Sequence, residues 1–237
     1  MSKSRRTHRK EKESQEFYEN PEVLADKINK TEEFFAKNKV LSLTVAGVIA
    51  VAFTSFFLYQ YYTINQNRLA QADMFQAVFY FEQDSLDLAL NGDGNNYGFG
   101  DIVSEYPRTD AANLSNYYAG IIHLKKGNHK VAVLYLEDFS SSDLLIQARA
   151  YSLIGDAYME QGDYENAVSF YDKAANYNAN EYFSPIYLKK AALAYEKLEQ
   201  WDKAKGCFET IVEEYKTSTE FQSAQKDLAR LDAKMPS

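Results

Sequence analysis

The chain has 237 residues, a net charge of −8 and one cysteine. That length fits one domain of ordinary size with a leader and a connecting segment. The lone Cys207 excludes an internal disulfide and a Cys-based zinc framework, and the acidic balance argues against sequence-independent nucleic-acid binding, which needs a basic face.

The charge is unevenly placed. Residues 1–39 carry ten Lys/Arg against eight Asp/Glu, a net of +2, whereas residues 63–237 carry 16 against 26, a net of −10. Residues 1–19 read as a charged leader without a packed core. Asn20-Pro21 is a break, with Pro21 suited to a first helical turn. From Glu22 to Lys39, Leu24, Ile28 and Phe35 share one helical face. A short amphipathic helix at the membrane surface is expected there, with a small partner-binding helix as the alternative.

Val40–Tyr62 (VLSLTVAGVIAVAFTSFFLYQYY) has no charged residue across 23 positions. As a helix it would be about 34 Å long, enough to cross a bilayer core of about 30 Å. Only a helix satisfies every backbone polar group within one such segment. The run exceeds the core of a cleaved signal peptide, and Ala50-Val51-Ala52 lies in its middle rather than at its end. Phe56, Phe57, Tyr59, Tyr61 and Tyr62 cluster at one end, as at a membrane–water interface. Lys3, Arg5, Arg6, Arg9, Lys10 and Lys12, with Lys37 and Lys39 beside the span, predict a cytoplasmic N-terminus. Only Arg68 lies close on the far side. Residues 63–237 are then extracytoplasmic, in the periplasm of a bacterium. Gly47 is the only glycine of the span, so it has no GxxxG packing face.

No Gly or Pro interrupts Val48 to Leu90, and Leu69, Ala72, Phe75, Gln76 and Phe79 fall on adjacent helical rows. The helix is expected to continue to about Asn91, where Asn91-Gly92-Asp93-Gly94-Asn95-Asn96 signals a turn. This turn resembles a calcium loop in its alternating Asn91, Asp93 and Asn95. However, Asn96 stands where glycine is needed and Ile102 where the bidentate glutamate is needed. Its glycines lack the strand and GK[ST] ending of a phosphate loop. It reads as an inter-helix loop.

The remainder repeats. Ile154-Gly155-x-x-Tyr158, Gly162-Asp163-Tyr164-x-x-Ala167 and Tyr171-x-x-Ala174 follow tetratricopeptide spacing: two antiparallel helices brought close by Gly155 and Ala167, with tyrosines filling the gap. The pattern returns 37 residues on as Ala192, Tyr195, Trp201, Ala204 and Phe208, with Gln200 expected in place of the turn glycine. A more divergent copy lies 35 residues back: Gly120, Gly127, Ala132 and Leu136. Phe99, Ile102, Val103 and Tyr106 suggest the second helix of a degenerate first repeat. Phe221, Ala224, Leu228 and Leu231 suggest a terminal cap. The predicted fold is all-α: a single N-terminal transmembrane helix followed by a tetratricopeptide-repeat α-solenoid. The divisions are a leader over 1–39, an anchor over 40–62 and a repeat domain over 63–237. Within that domain, a degenerate repeat covers about 66–108, repeats cover about 113–142, 148–181 and 185–216, and a cap covers 219–233.

Catalytic patterns are missing. His123 and His129 do not share a helix face, Glu213-Glu214 read as solvated, Cys207 as a packed thiol, and there is no GxSxG or HExxH. No enzyme activity, cofactor or metal is expected. Repeats of this kind bind protein segments along their first helices. The groove positions are Leu114, Tyr117, Ile121 and Leu124 in the first clear repeat, Arg149, Ser152, Asp156 and Met159 in the second, and Ile186, Lys189, Leu193 and Glu196 in the third. The apolar first set would anchor a hydrophobic segment, or Tyr117 and Ile121 would instead pack against a neighbouring repeat. Tyr117 and Ile121 also occupy the places of a Lys/Asn carboxylate clamp.

The N-in anchor, the long connecting helix and GNNYGFGDIVSEYPRTDAANLSNYYAG ahead of three repeats resemble the YfgM-like ancillary subunits of the bacterial Sec translocon, over roughly residues 37–235. The resemblance implies an inner-membrane protein beside the translocon that hands emerging polypeptides to periplasmic chaperones. The alternative is a structural scaffold for an envelope-assembly or cell-division complex, built on folded partners.

Overall fold

A computed structural model describes residues 21–234. The leader over residues 1–19, with the basic cluster Lys3 to Lys12, lies outside the described residues. Among the described residues eleven helices follow one another with no strand. The chain forms two compact units that divide between Tyr62 and Thr63.

In the first unit, α1 spans Pro21–Lys37 and α2 starts at Lys39, running to Glu82. Asn38 separates the two helices and donates its side-chain amide to the Phe34 carbonyl at 3.0 Å. Ile28, Phe34 and Phe35 of α1 are exposed. The most apolar 18-residue window of α2 has a mean hydropathy of 2.2, and none of it is buried. A core helix of a water-soluble domain would be covered instead. Thr44 and Thr54 donate their hydroxyls to the carbonyls of Val40 and Ala50, each at 2.8 Å. Both hydroxyls are thereby satisfied within the helix itself.

The second unit opens with the rest of α2. Then come α3 (Leu86–Asn91), α4 (Phe99–Glu105), α5 (Asp110–Lys125), α6 (His129–Asp138), α7 (Leu144–Gln161), α8 (Tyr164–Tyr177), α9 (Ser184–Lys197), α10 (Trp201–Glu214) and α11 (Phe221–Lys234). The expected helix to Asn91 is broken. α2 ends at Glu82 because Asp84 turns left-handed (φ 56°), with the Ser85 N–H on the Tyr80 carbonyl and the Asp84 N–H on the Phe81 carbonyl. This pair of bonds is the Schellman ending. It recurs at the end of α5 with Gly127, of α7 with Gly162 and of α9 with Glu199. The end of α2 therefore stops in the same way as α5, α7 and α9. The ending of α9 corrects the expected register of the third turn. Glu199, at φ 57°, takes the glycine position, and Gln200 corresponds to Asp163.

The loop after α3 is organised by Asp93. Its carboxylate accepts the N–H groups of Asn95 and Asn96, the Asn96 side-chain amide and the Tyr80 hydroxyl, at 2.7–2.9 Å. The hydrogen bond from Tyr80 and those from Asn96 and Asn95 hold its carboxyl well below the usual carboxylate range. Asp93 thus acts as the hub of a turn, tying it to α2.

Within the repeats, helix pairs meet where a side chain is small. A Cβ on Gly155 would lie 2.6 Å from the ring of Tyr171, and one on Gly120 would lie 2.5 Å from Leu136. Ala192 takes the equivalent place in the third repeat, packed with Ala204 and Phe208. Each repeat shares its core with the next. Tyr117, Val133 and Leu136 pack with Ala150 and Ile154, and Ala167, Val168 and Tyr171 pack with Ala191 and Ala194. α11 closes the array by adding Ala224 and Leu231 to the core of Phe208 and Ile211. On α2 the buried side is Ala70, Met74, Ala77 and Phe81, leaving Leu69, Phe75 and Phe79 exposed.

Two substitutions test this frame by denaturant unfolding of the detergent-solubilised chain. Gly155→Ala forces a ring that is pinned at its hydroxyl and should cost about 1–3 kcal/mol. Glu199→Gly relieves a left-handed non-glycine residue and should gain about 1 kcal/mol. The opposite sign for either would refute this helix-pair geometry.

Candidate protein-binding groove

The groove positions lie on α5, α7 and α9, each helix fixed at its start. Thr109 accepts the Ala112 N–H, Asp143 accepts those of Leu145 and Ile146, and Pro185 occupies the first turn of α9. These groups satisfy donors that a helix start leaves open.

Three sets of positions have different surroundings. Leu114, Tyr117, Ile121 and Leu124 lie against Ala150, Ile154 and Ala157 of α7, so they fill the seam between repeats, and Tyr117 is buried. In the second repeat, Asp156 accepts both the Tyr171 hydroxyl at 2.7 Å and the ammonium of Lys190 at 2.7 and 2.8 Å. Lys190 also reaches Ser152 Oγ at 3.2 Å. In the third repeat, Lys189 donates to Glu220 at 2.7 Å and to Ser223 at 2.9 Å. Glu196 takes a two-pronged guanidinium contact from Arg230, at 2.6 and 2.8 Å. Met159 and Ile186 are partly buried against neighbouring repeats. Arg149 and Leu193 are the two exposed members of the set. Arg149 has no ion pair among the described residues and is close enough to Tyr117 and Tyr187 to act on both phenols.

The electrostatics follow from these contacts. Burial and the Asp156 carboxylate hold the Tyr171 phenol far above its ordinary value, so it remains a donor. The guanidinium hydrogen bonds from Arg230 hold Glu196 below its ordinary 4.5. Asp172 is pushed up by burial, against the hydrogen bond from Tyr195.

Lys190 and Arg230 are not among the groove positions expected from the repeat pattern. A signal for them is nevertheless present. Asp156–Lys190 and Glu196–Arg230 are each 34 residues apart, so opposite charges at one common spacing, about a helical turn short of the 37-residue step from Gly155 to Ala192, mark ties to the following element. Another unanticipated feature is a 520 Å³ pocket between α6, α7 and α8, lined by Phe139, Tyr151, Phe170, Lys173 and Tyr177 among others. Lys173 Nζ lies 4.0 Å above the Tyr151 ring. The size and aromatic lining suit an apolar side chain.

The groups considered for other chemistry are occupied structurally. His123 stacks on Tyr135 with ring centroids 5.3 Å apart, and burial and Lys126 lower its proton affinity. Burial, followed by Asp172, pushes the Cys207 thiol up to about 12, which leaves it unreactive at neutral pH. Among the described residues no cluster of three His, Cys, Asp or Glu could hold a metal ion.

Comparison with known proteins gives the fold. The tetratricopeptide repeat family matches residues 148–181 and again residues 188–218. Among solved structures, the chain is similar to the nearly identical TPR-like repeats of a Podosopora anserina protein described as a kinesin light chain. The TM-score is 0.53 at 16% identity, covering 71% of this chain and 87% of that one. A single-residue variant of the same repeats gives 0.52 at 17%, covering 71% and 86%. No curated protein matches.

The Glu196–Arg230 tie makes a pH prediction. The folded-state value of Glu196 is depressed, so its contribution is whole above its ordinary 4.5 and is lost as pH falls through the lower folded value. Because Arg230 is partly exposed, the contribution is about 1 kcal/mol after screening. Glu196→Gln should therefore lower stability at neutral pH by about that amount, and the wild-type advantage should disappear on acidification. A difference that persisted unchanged into acid would argue against the tie.

Proposed function

We propose that the chain is a membrane-anchored protein-binding module of the bacterial envelope. Val40–Tyr62 crosses the inner membrane with the N-terminus cytoplasmic, and the repeat domain works in the periplasm beside the Sec translocon. There it receives emerging polypeptides and passes them to chaperones. The observation that carries this reading is the pairing of an uncovered apolar helix with a repeat array whose groove keeps two open side chains. Arg149 and Leu193 sit on neighbouring first helices, one cationic and one apolar. They would grip an extended segment through its carbonyl or carboxylate oxygens and an apolar side chain. The acidic repeat domain also disfavours strong retention of acidic chains, which suits a transient receiver.

A photo-reactive amino acid placed at Arg149 or Leu193 in intact cells tests the reading. Crosslinks to many nascent secretory chains and to translocon subunits are expected, reduced at least several-fold by Arg149→Glu combined with Leu193→Asp. A single stoichiometric folded partner at both positions would instead establish the scaffold reading. Protease added to spheroplasts should digest residues 63–237, and full protection would overturn the proposed orientation.

A further inference from the structure

The first helices of the repeats all begin at one rim of the second unit, and hydrogen bonds link these beginnings in sequence. Asn67, four residues after Thr63, receives the Ala111 N–H at 3.1 Å and donates to Asp110 at 3.1 Å, at the start of α5. Asn113 exchanges two hydrogen bonds with Ser140, at 2.7 and 2.9 Å, in the turn before α7. The start of α7 packs through Ala148 on Ala174 and Ala175 at the end of α8 and on Tyr187 near the start of α9. Thr217, in the turn before α11, donates to Glu181 in the turn before α9 at 2.9 Å.

This rim carries large apolar groups in contact with solvent. Leu144, Leu145 and Ile146 are exposed at the start of α7, Tyr182 and Phe183 in the turn before α9, and Ile64 at the start of the unit. Tyr182 is 80% exposed, and no hydrogen bond to its hydroxyl is present among the described residues. Three consecutive exposed apolar residues beside two exposed aromatics are unusual on a water-facing turn. The charged groups there are of both signs. Asp143 is engaged in capping α7 and Glu181 accepts from Thr217, while Arg68, Arg108 and Lys216 are basic. Glu105, Asp110, Glu137, Asp138, Glu213 and Glu214 are also exposed at helix ends and starts along it, so the rim carries an acidic excess, and a contact with a lipid surface would rest on its apolar groups and on uncharged headgroups.

Covalent connection selects the occupant. Thr63 lies at this rim, and it follows directly on Tyr62, the last residue of the apolar stretch. If that stretch crosses a bilayer, the rim is tethered to that bilayer's surface with no intervening linker. We propose that the rim rests in the headgroup region of the membrane that Val40–Tyr62 crosses, with Tyr182 and Phe183, and Leu144 with Leu145, entering the interface. Tyrosine suits this position because its ring is apolar and its hydroxyl stays hydrated. Such a contact holds the array by two points, the span and the rim. The inference rests on the proposed membrane span, and its test separates the two.

The chain has one tryptophan, Trp201. In a Trp201→Phe background, single tryptophan probes are placed at Tyr182 (rim), Leu134 (exposed at mid-α6, off the rim) and Phe57 (span). Each full-length variant is reconstituted into vesicles with and without brominated phospholipid, whose bromines quench nearby indoles. The Tyr182→Trp and Phe57→Trp probes should each lose about half their emission or more, as expected for an indole at or below the interface, while the Leu134→Trp probe stays within about a tenth of its bromine-free value. If the span probe is quenched and the rim probe behaves like the Leu134 probe, the rim contact is overturned and the anchor stands. Equal quenching of the rim and Leu134 probes also overturns it. If the span probe itself is unquenched, the anchor fails and the rim contact with it. Unchanged thermal unfolding by circular dichroism confirms that each variant is folded.

Discussion

The missing side chain at Gly155 sets the spacing on which the rest of the repeat domain depends. Because a Cβ there would meet the Tyr171 ring at 2.6 Å, α7 and α8 can approach closely only with glycine at this point. The ring fills the gap and directs its hydroxyl to Asp156, on the groove side of α7. Asp156 then holds Lys190 of the following repeat. One close approach inside a repeat is thereby connected, through a single carboxylate, to the position of the next repeat. The partly buried polar groups Tyr171, Asp156 and Lys190 are tolerated between the helices because each has its partner. Further along, Lys189 and Glu196 fix α11 by the same device, so the cap is held by charge as well as by Ala224 and Leu231.

Much of this is legible in the residues. The glycine and alanine spacing around Gly155, Ala192 and Gly120 gives the helix pairs, because close packing leaves few choices at those positions. The uncharged Val40–Tyr62 stretch gives a helix with nothing to bury it. What spacing does not reveal is where a left-handed residue sits without glycine. Asp84 and Glu199 end their helices as Gly127 and Gly162 do, yet glutamate carries no turn signal of its own and a lone aspartate a weaker one than glycine. The run past Glu82 therefore looks continuous in sequence, and the turn register at Gln200 is displaced by one.

The groove positions illustrate a similar limit. Periodicity identifies which residues lie along the first helices, but it does not say which of them already have partners. Leu114 and Tyr117 are taken up by the seam with α7, and Lys189 and Glu196 by α11. The unclaimed members, Arg149 and Leu193, are few. A groove whose polar groups are largely committed loses little order on binding, and its few free groups favour short, weakly selective contacts.

The claim that groove-side groups lock one repeat to the next is tested most directly by a double-mutant cycle on Asp156 and Lys190. Unfolding free energies of wild type, Asp156→Asn, Lys190→Met and the double variant give the coupling between the two repeats. Both side chains are about one third exposed, so a coupling of about 1 kcal/mol is predicted. Effects that add to within about 0.3 kcal/mol would show the two residues to be independent and would contradict the account.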